Sequence, residues 1–484
     1  MPPDRRSFLQ IAAMTPLVAT ASPVFSAANA PGDDSAEHVL RIGTGLVELA
    51  PDHIVSTTLY NDAFPGPLLR MQQGRTVTID VHNDTDVPEL VHWHGQTIPS
   101  DVDGAAEEGT PYIAPHTSRR LRFIPGPAGF RFYHSHAAAG PDLTRGTYSG
   151  QLGPVYIEPK NDPGHYDREI FLVLKEFAPT FSKGGDMAMD ALAGTEIAAL
   201  KALGAAADAA APTRTKGYEV GYDLFSINGK MLGHHEPIRV RPGERVLFHI
   251  LNGSAGEIRS LALPGHLFRV VALDGNPVPT PASVPVLWIG TAERVSAIVE
   301  MDHPGVWVMG DLADDDRTRG MGIVVEYAGH GGKPVWIKPR SFRWDYGLFG
   351  KPDAVTAAPD ETIVMTIVKH NAALGGFNQW TLNGRAFSMT RMEPIYTLHR
   401  GRRYRLIFRN ASDDIHPLHL HRHSFELSRI AGRATAGVIK DVVMLGGYQE
   451  LAFDFTADNP GDTLFHCHQQ LHMDYGFMAL FRYA

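Results

Sequence analysis

Gly74-Arg-Thr-Val-Thr-Ile-Asp-Val-His-Asn83 alternates apolar and polar residues behind a glycine and stops on an asparagine, the pattern of a half-buried strand bounded by turns. The pattern returns as Gly243-Glu-Arg-Val-Leu-Phe-His-Ile-Leu-Asn252 and as Gly401-Arg-Arg-Tyr-Arg-Leu-Ile-Phe-Arg-Asn410. Each copy follows an earlier asparagine, Asn61, Asn228 or Asn383, lying 22, 24 and 27 residues before the closing one. The units begin 167 and 155 residues apart, about the length of one small domain. A second echo runs through Pro127-Ala-Gly-Phe-Arg-Phe-Tyr133, Pro304-Gly-Val-Trp-Val-Met309 and Pro460-Gly-Asp-Thr-Leu-Phe465. Three related β-sandwich domains are the simplest account.

Composition agrees with that reading. The 48 glycines and 35 prolines punctuate short Val/Ile/Phe/Leu runs, as sandwiches require. Strand patterning lapses near 159–167 and 334–362, so the domains are expected at 38–160, 168–335 and 360–484. An Ala-rich insert at 184–217, near the start of the second, reads as a short helix plus flexible linker. Two methionines in it, Met187 and Met189, more simply pack than bind metal.

The first 30 residues have the layout of a cleavable export signal, and Arg5-Arg6 with Phe8 and Leu9 resembles the twin-arginine type read by the bacterial export machinery for folded proteins. A periplasmic or secreted location is therefore expected. No later run approaches the ~20 apolar residues of a membrane span, so no membrane is expected as a partner. Removing residues 1–30 takes two Arg from 44 basic residues and one Asp from 53 acidic ones, leaving 42 against 52, a net of −10. That balance argues against nucleic acid or an anionic membrane surface as a partner.

The histidines fall at fixed places in the repeat. Nine residues after Asn83 comes His92-Trp-His94, and nine after Asn410 comes His419-Leu-His421; the second copy has Leu261 and Leu263. Five residues after Gly129 comes His134-Ser-His136, and five after Gly461 comes His466-Cys-His468; the second copy has Gly310 and Leu312. With 24 histidines, composition alone predicts about one His-x-His pair, and the chain has five, counting the overlapping His421/His423. A lone histidine such as His249 is read as a satisfied core residue, but the four matched pairs are not. Residues i and i+2 of a strand share a face, so the pairs offer eight imidazoles. If the outer two domains face one another, these converge on a cluster too rich for one metal ion.

The single cysteine, Cys467, lies between two of those histidines. Alternation turns its sulfur away from the cluster, toward a separate site with His416 and His472. Two imidazoles and one thiolate form the trigonal set of blue copper centres; zinc also accepts that set, but it is redox-silent and a bridge between two zinc sites has no evident use. The first domain has Glu89, Ser135 and Gly140 at the equivalent places, so one such centre per chain is expected.

These four segments, in order, resemble those of the multicopper oxidases, specifically the three-domain laccase-like branch. The resemblance implies an all-β fold of three consecutive cupredoxin-like Greek-key β-sandwich domains. It also implies four copper ions: a type 2 ion on His92 and His419, a type 3 pair on His94, His134, His136, His421, His466 and His468, and a type 1 ion on His416, Cys467 and His472. The implied activity is laccase-like oxidation of a phenol or aromatic amine, coupled to four-electron reduction of dioxygen to water. The alternatives are a periplasmic oxidase of cuprous or other metal ions, involved in copper tolerance, and a non-catalytic copper-binding protein. Phe477 stands five residues after His472, where many metal-oxidising members have Met; a one-residue shift would put Met478 there instead. Asp103 matches the family acid near the type 2 ion, against the alternative of a simple turn aspartate before Gly104. The acid that often follows the last histidine is Met473 here, with Asp474 one place later as a second proton-relay candidate. Arg422 replaces the usual glycine of His-Leu-His-Gly-His, and a non-glycine residue there implies a backbone that avoids positive φ.

Overall fold

The computed structural model describes residues 35–160, 165–183, 191–211, 216–351 and 354–484. The export signal read at 1–30, and Met187 and Met189, lie outside the described residues. Ala36–Ala484 forms one compact unit built from three β-sandwiches in series. In the first, a sheet ordered His53–Tyr60, His38–Ala50, Val77–Asn83, Thr117–Phe123 packs on one ordered Leu69–Gln72, Leu152–Glu158, Gly129–His134, His92–His94. The opening strand of each sandwich runs parallel to the repeat strand: His38–Ala50 beside Val77–Asn83, Arg168–Ser182 beside Arg245–Asn252, and Glu361–Leu374 beside Arg403–Asn410. Such parallel neighbours cannot be joined by a hairpin, so each sandwich carries the crossed connections of a Greek key.

The repeated asparagines explain themselves in the structure. Asn61, Asn228 and Asn383 sit at φ 53°, 47° and 51°, a left-handed conformation that asparagine tolerates better than most residues. Each Oδ1 accepts a strand N–H, from Arg41, Val173 and Thr366, and each Nδ2 donates to the carbonyl two residues earlier, of Val39, Phe171 and Val364. The closing residues Asn83, Asn252 and Asn410 are fully buried. Their Oδ1 accepts the N–H two residues on, from Thr85, Ser254 and Ser412, while Nδ2 donates to the carbonyls of Ile113, Ile289 and Gly446. One amide thus ends the strand and ties it to another segment, which no apolar residue could do.

The insert contains the expected helix, Ala198–Ala209, which buries Leu200 and Gly204. Among the described residues no helix is long and apolar enough to cross a membrane.

Candidate metal centre

The eight paired histidines meet where the first and third sandwiches face each other, and all are buried. The strand His92–His94 pairs antiparallel with Gly129–His134, placing His92 opposite His134. The third sandwich repeats this: His416–Leu420 pairs with Thr463–Cys467, placing His419 opposite His466. His136, His421 and His468 follow within two residues of their strand ends. Across the seam His92 stacks on His421 with ring centroids 4.0 Å apart, and His94 on His419 at 3.8 Å.

Hydrogen bonds fix which nitrogen each ring presents. His92, His134 and His419 donate Nδ1–H to the carbonyls of Asp103 (3.0 Å), Ser135 (2.8 Å) and Asp441 (2.7 Å), leaving a buried Nε2 without a partner. His94 is reversed: its Nε2 meets Asp441 Oδ1 at 3.1 Å and its Nδ1 is unpartnered. His136 and His468 have no partner at either ring nitrogen. His421 Nδ1 meets Asp103 Oδ2 at 2.9 Å and His466 donates Nδ1–H to Cys467 O at 2.8 Å, so their Nε2 atoms face each other across 3.0 Å.

Two lone pairs at that distance repel, and only a proton or a cation between them relieves this. A proton is costly here. Burial, with the neighbouring imidazoles adding to it, pushes His94, His134, His136, His419, His421, His466 and His468 well below the ordinary imidazole range. Orphaned buried nitrogens are rare unless something else satisfies them. Neutral imidazoles with fixed tautomers are what a transition-metal ion binds, so these residues fit a multinuclear metal site. His136, His421 and His466 bring three donor atoms within 4.8 Å of one another, as do His92, His419 and His421.

The sulfur of Cys467 lies on the other side of its strand, 3.5 Å from His472 Nδ1 and 3.7 Å from His416 Nδ1. Those two nitrogens are 3.1 Å apart, and His416 Nε2 is engaged by Ser412 Oγ at 2.9 Å, which turns Nδ1 inward. Burial lowers His416 to about 4, holds His472 well below the usual range, and pushes the thiol up. A bound cation reverses that pressure on a thiol, because it supplies the charge that makes the thiolate favourable. The donor set therefore fits a single soft metal ion. Trp380 stacks on His472 at 3.9 Å. Phe477 sets its ring edge-on to His416 at 4.9 Å, whereas Met478 packs with Ala105, Leu464, Met473 and Leu480.

In the first sandwich the equivalent place is filled by hydrogen bonds. Ser135 Oγ donates to Glu89 Oε2 at 3.4 Å, and Gln151 Nε2 donates to the same oxygen at 3.2 Å.

Asp103 ends the short helix Ser100–Asp103, and Gly104 takes φ 101° immediately after it. A Cβ on Gly104 would sit 1.9 Å from the carbonyl oxygen of Val91, so the turn needs glycine. The turn aims the Asp103 carboxylate inward, with Oδ2 2.9 Å from His421 Nδ1 and 3.1 Å from His92 Nδ1. Asp474 is half-buried and points elsewhere: it accepts N–H from Ala139 (3.1 Å) and Gly140 (2.8 Å) of the first sandwich and from Gln470. Burial raises its carboxyl to about 6.

The expectation for Arg422 is overturned. It adopts φ 57°, the left-handed conformation that glycine would favour. Its side chain is 1% exposed and explains the exception. The guanidinium donates to the carbonyls of Ile98 (3.0 Å), Asp462 (2.8 Å), Asn459 (3.2 Å) and Pro460 (2.7 Å) and to Thr463 Oγ1 (3.0 Å). Five bonds outweigh one strained backbone pair.

Several neighbours of the cluster carry no local sequence signal. Asp441 contacts His94 through its side chain and His419 through its carbonyl. Glu108 lies 3.4 Å from His421 Nδ1, and burial with the adjacent Asp103 holds its carboxyl well above the usual range. Glu107 lies 4.0 Å from His136 Nδ1.

Multicopper oxidase family models match residues 44–162, 201–326 and 358–484, one to each sandwich. The chain belongs to the multicopper oxidases. It is 29% identical over 442 residues to the multicopper oxidase MmcO of Mycobacterium tuberculosis, covering 89% of this chain and 84% of that one. It is 24% identical to laccase-3 of Thanatephorus cucumeris, covering 93% and 91%. The fold superposes on the crystal structure of laccase from Botrytis aclada with a TM-score of 0.71 at 19% identity, covering 92% of this chain and 87% of that one. Like the family as a whole, this multicopper oxidase is an oxidoreductase that binds copper and uses dioxygen and a reducing substrate. Beside His472 it has a cavity of about 40 Å³, lined by Tyr148, Glu219, Tyr222, Glu257, Gln469 and Leu471.

Proposed function

We propose that the protein is a laccase-like oxidase that takes single electrons from phenolic or aromatic amine donors near His416 or His472 and couples this to reduction of dioxygen to water. The observation that carries this reading is the placement of one residue: Cys467 turns its sulfur to His416 and His472 while its chain neighbours His466 and His468 face the histidine cluster. His416, Cys467 and His472 would hold the type 1 ion, His92 and His419 the type 2 ion, and the other six cluster histidines the type 3 pair. Bound copper would supply one-electron acceptance at Cys467 and four-electron reduction of dioxygen at the cluster.

The protein's own groups do the rest. Cys467 joins the two sites through its peptide bonds and through its carbonyl, which accepts Nδ1–H of His466. Asp103, touching both His92 and His421, is placed to hold and hand on protons at the cluster. Asp474, raised to about 6, can carry a proton near neutral pH and is the second candidate. Phe477 cannot coordinate, which favours the reduced ion at Cys467 and a comparatively high potential.

A second reading, oxidation of cuprous or other metal ions, is favoured by the cavity beside His472. Its volume of about 40 Å³ has room for a few waters, and Glu219 and Glu257 line it. Under the first reading a ring donates its electron at or near this cavity by outer-sphere transfer. Export by the twin-arginine route to the periplasm or beyond completes the proposal and rests on residues 1–30.

Steady-state turnover on a methoxyphenol against Cu(I), followed as oxygen uptake, tests the donor. Faster kcat/KM on the phenol supports the first reading, and dominance of Cu(I) replaces it with the second. Oxygen uptake that persists in Cys467→Ser contradicts the relay through Cys467, and no uptake by the copper-loaded native chain leaves a copper binder.

A further inference from the structure

We propose that Arg294, from the sandwich that contributes no histidine, is a positioning residue for the metal cluster, acting through Asp441 to hold His94 with Nδ1 turned inward. This rests on the reading of the cluster as a copper site. His92, His134 and His419 present Nε2; His94 presents Nδ1, because its Nε2 meets Asp441 Oδ1 at 3.1 Å. Reversing that ring would bury a proton where a lone pair is needed.

Asp441 is itself held from both sides. Arg294 grips its two oxygens in a bidentate pair, Nη1 to Oδ1 at 2.7 Å and Nη2 to Oδ2 at 2.6 Å. Arg131 of the first sandwich adds a bond to Oδ2 at 3.1 Å. Arg294 is fixed in turn by the carbonyls of Ala292 (3.0 Å), Phe130 (3.3 Å) and Asp274 (3.3 Å). A fork held on both tines transmits orientation to the carboxylate, which a single flexible ammonium does not.

The second sandwich reaches this point through the turn Asp274-Gly275-Asn276, which enters between the other two. Its approach is close: a Cβ on Gly129 would lie 2.0 Å from Gly275 O. Asp274 Oδ2 accepts N–H from Asp441 (3.2 Å) and Val442 (3.0 Å) and pairs with Lys440 at 2.9 Å. Asp274 also offers its carbonyl to Arg131, whose Nη2 reaches Asn276 Oδ1 at 3.0 Å. With Lys440 also 3.1 Å from Glu293, three cations and three carboxylates form a charge-balanced buried set spanning all three sandwiches. A network required only for stability could lie anywhere along the interface. This one ends on two cluster histidines, since Asp441 O also accepts from His419.

The test uses the full chain, copper-loaded, with copper per chain measured by mass spectrometry, the blue thiolate band and the near-ultraviolet band of a coupled copper pair recorded together. Arg294→Lys keeps the charge and loses the fork. We expect an unchanged blue band, a weakened near-ultraviolet band, and an affinity for cluster copper lowered about 10–100-fold, the range for residues that orient metal ligands. The double variant Arg294→Met, Asp441→Leu removes one charge of each sign and so keeps the buried set balanced if the single variant misfolds. It should keep the blue band and still lose cluster copper. Full cluster loading in the double variant, or bands that fall in parallel in Arg294→Lys, would overturn the proposal. Histidine-selective ¹⁵N spectra of copper-free protein give an independent readout: the His94 proton should sit on Nε2 in the native chain and redistribute to Nδ1 in Arg294→Lys. If the native chain itself loads no cluster copper, the metal reading fails rather than the role of Arg294.

Discussion

Replacing Arg422 with glycine restores the residue usual in the family and removes a left-handed non-glycine backbone, so a purely local view expects stabilisation. The structure expects the opposite. The guanidinium donates five hydrogen bonds, four to carbonyls and one to Thr463 Oγ1, from a side chain that is 1% exposed. At about 1 kcal/mol net for each bond, the central value for a protein hydrogen bond and below the range for a charged donor, their loss costs about 5 kcal/mol. Relief of the φ 57° backbone returns about 1 kcal/mol. Arg422→Gly should therefore be less stable than the native chain by about 4 kcal/mol, and Arg422→Ala, which loses the bonds and keeps the strain, by about 5 kcal/mol. Denaturant midpoints of the copper-free proteins, compared at a common m-value, read both numbers. A glycine variant as stable as the native chain would show that the five bonds contribute nothing. An alanine variant equal to the glycine one would show that φ at this position carries no strain.

Cys467→Ser should abolish the blue band and oxygen uptake while the cluster keeps its copper, checked by metal count and spectrum. Phe477→Met should lower the potential of the Cys467 centre, read by redox titration, because a thioether beside His416 can coordinate the oxidised ion. In the copper-free protein His416 has its folded pKa lowered by burial from 6.5 to about 4, so its stabilising contribution is full above pH 6.5 and lost as pH falls toward 4. That one residue removes about 3 kcal/mol over the window, at 1.36 kcal/mol per pKa unit. The lowered cluster histidines act in the same direction, so thermal melts of copper-free protein should fall steeply below pH 6.5, and a flat profile would contradict the burial.

What could be read from the chain alone was what is local. The three asparagine-bounded strands were legible because the same pattern recurs at the same place in each sandwich, where each asparagine makes the same bonds. The His-x-His pairs were legible because strand alternation converts spacing into direction. Cys467 followed from the same arithmetic, whereas Phe477 came from the family resemblance, by its place five residues after His472. Arg294 was not legible: its partner Asp441 lies 147 residues away, and a lone arginine in Thr291-Ala-Glu-Arg-Val295 gives no sign of being buried. Arg422 misled for a related reason. Backbone preference is a local property, and here it is overridden by acceptors from 98 and from 459–463 that only the folded chain assembles. Glu107 and Glu108 sit in an Ala-Glu-Glu-Gly run with no periodicity, and only the turn at Gly104 brings them against His136 and His421.

The hydrogen-bonded trio Ser135, Glu89 and Gln151 has a consequence for how many sulfur-ligated centres this architecture can carry. The first sandwich already supplies the strands, the seam and the flanking imidazoles; it lacks a thiol and two rings, at 135, 89 and 140. Under the proposed function, electron entry would be rationed to a single port by a handful of side chains on an otherwise duplicated chassis, and the equivalent place in the first sandwich is closed by a serine and two polar neighbours that satisfy one another.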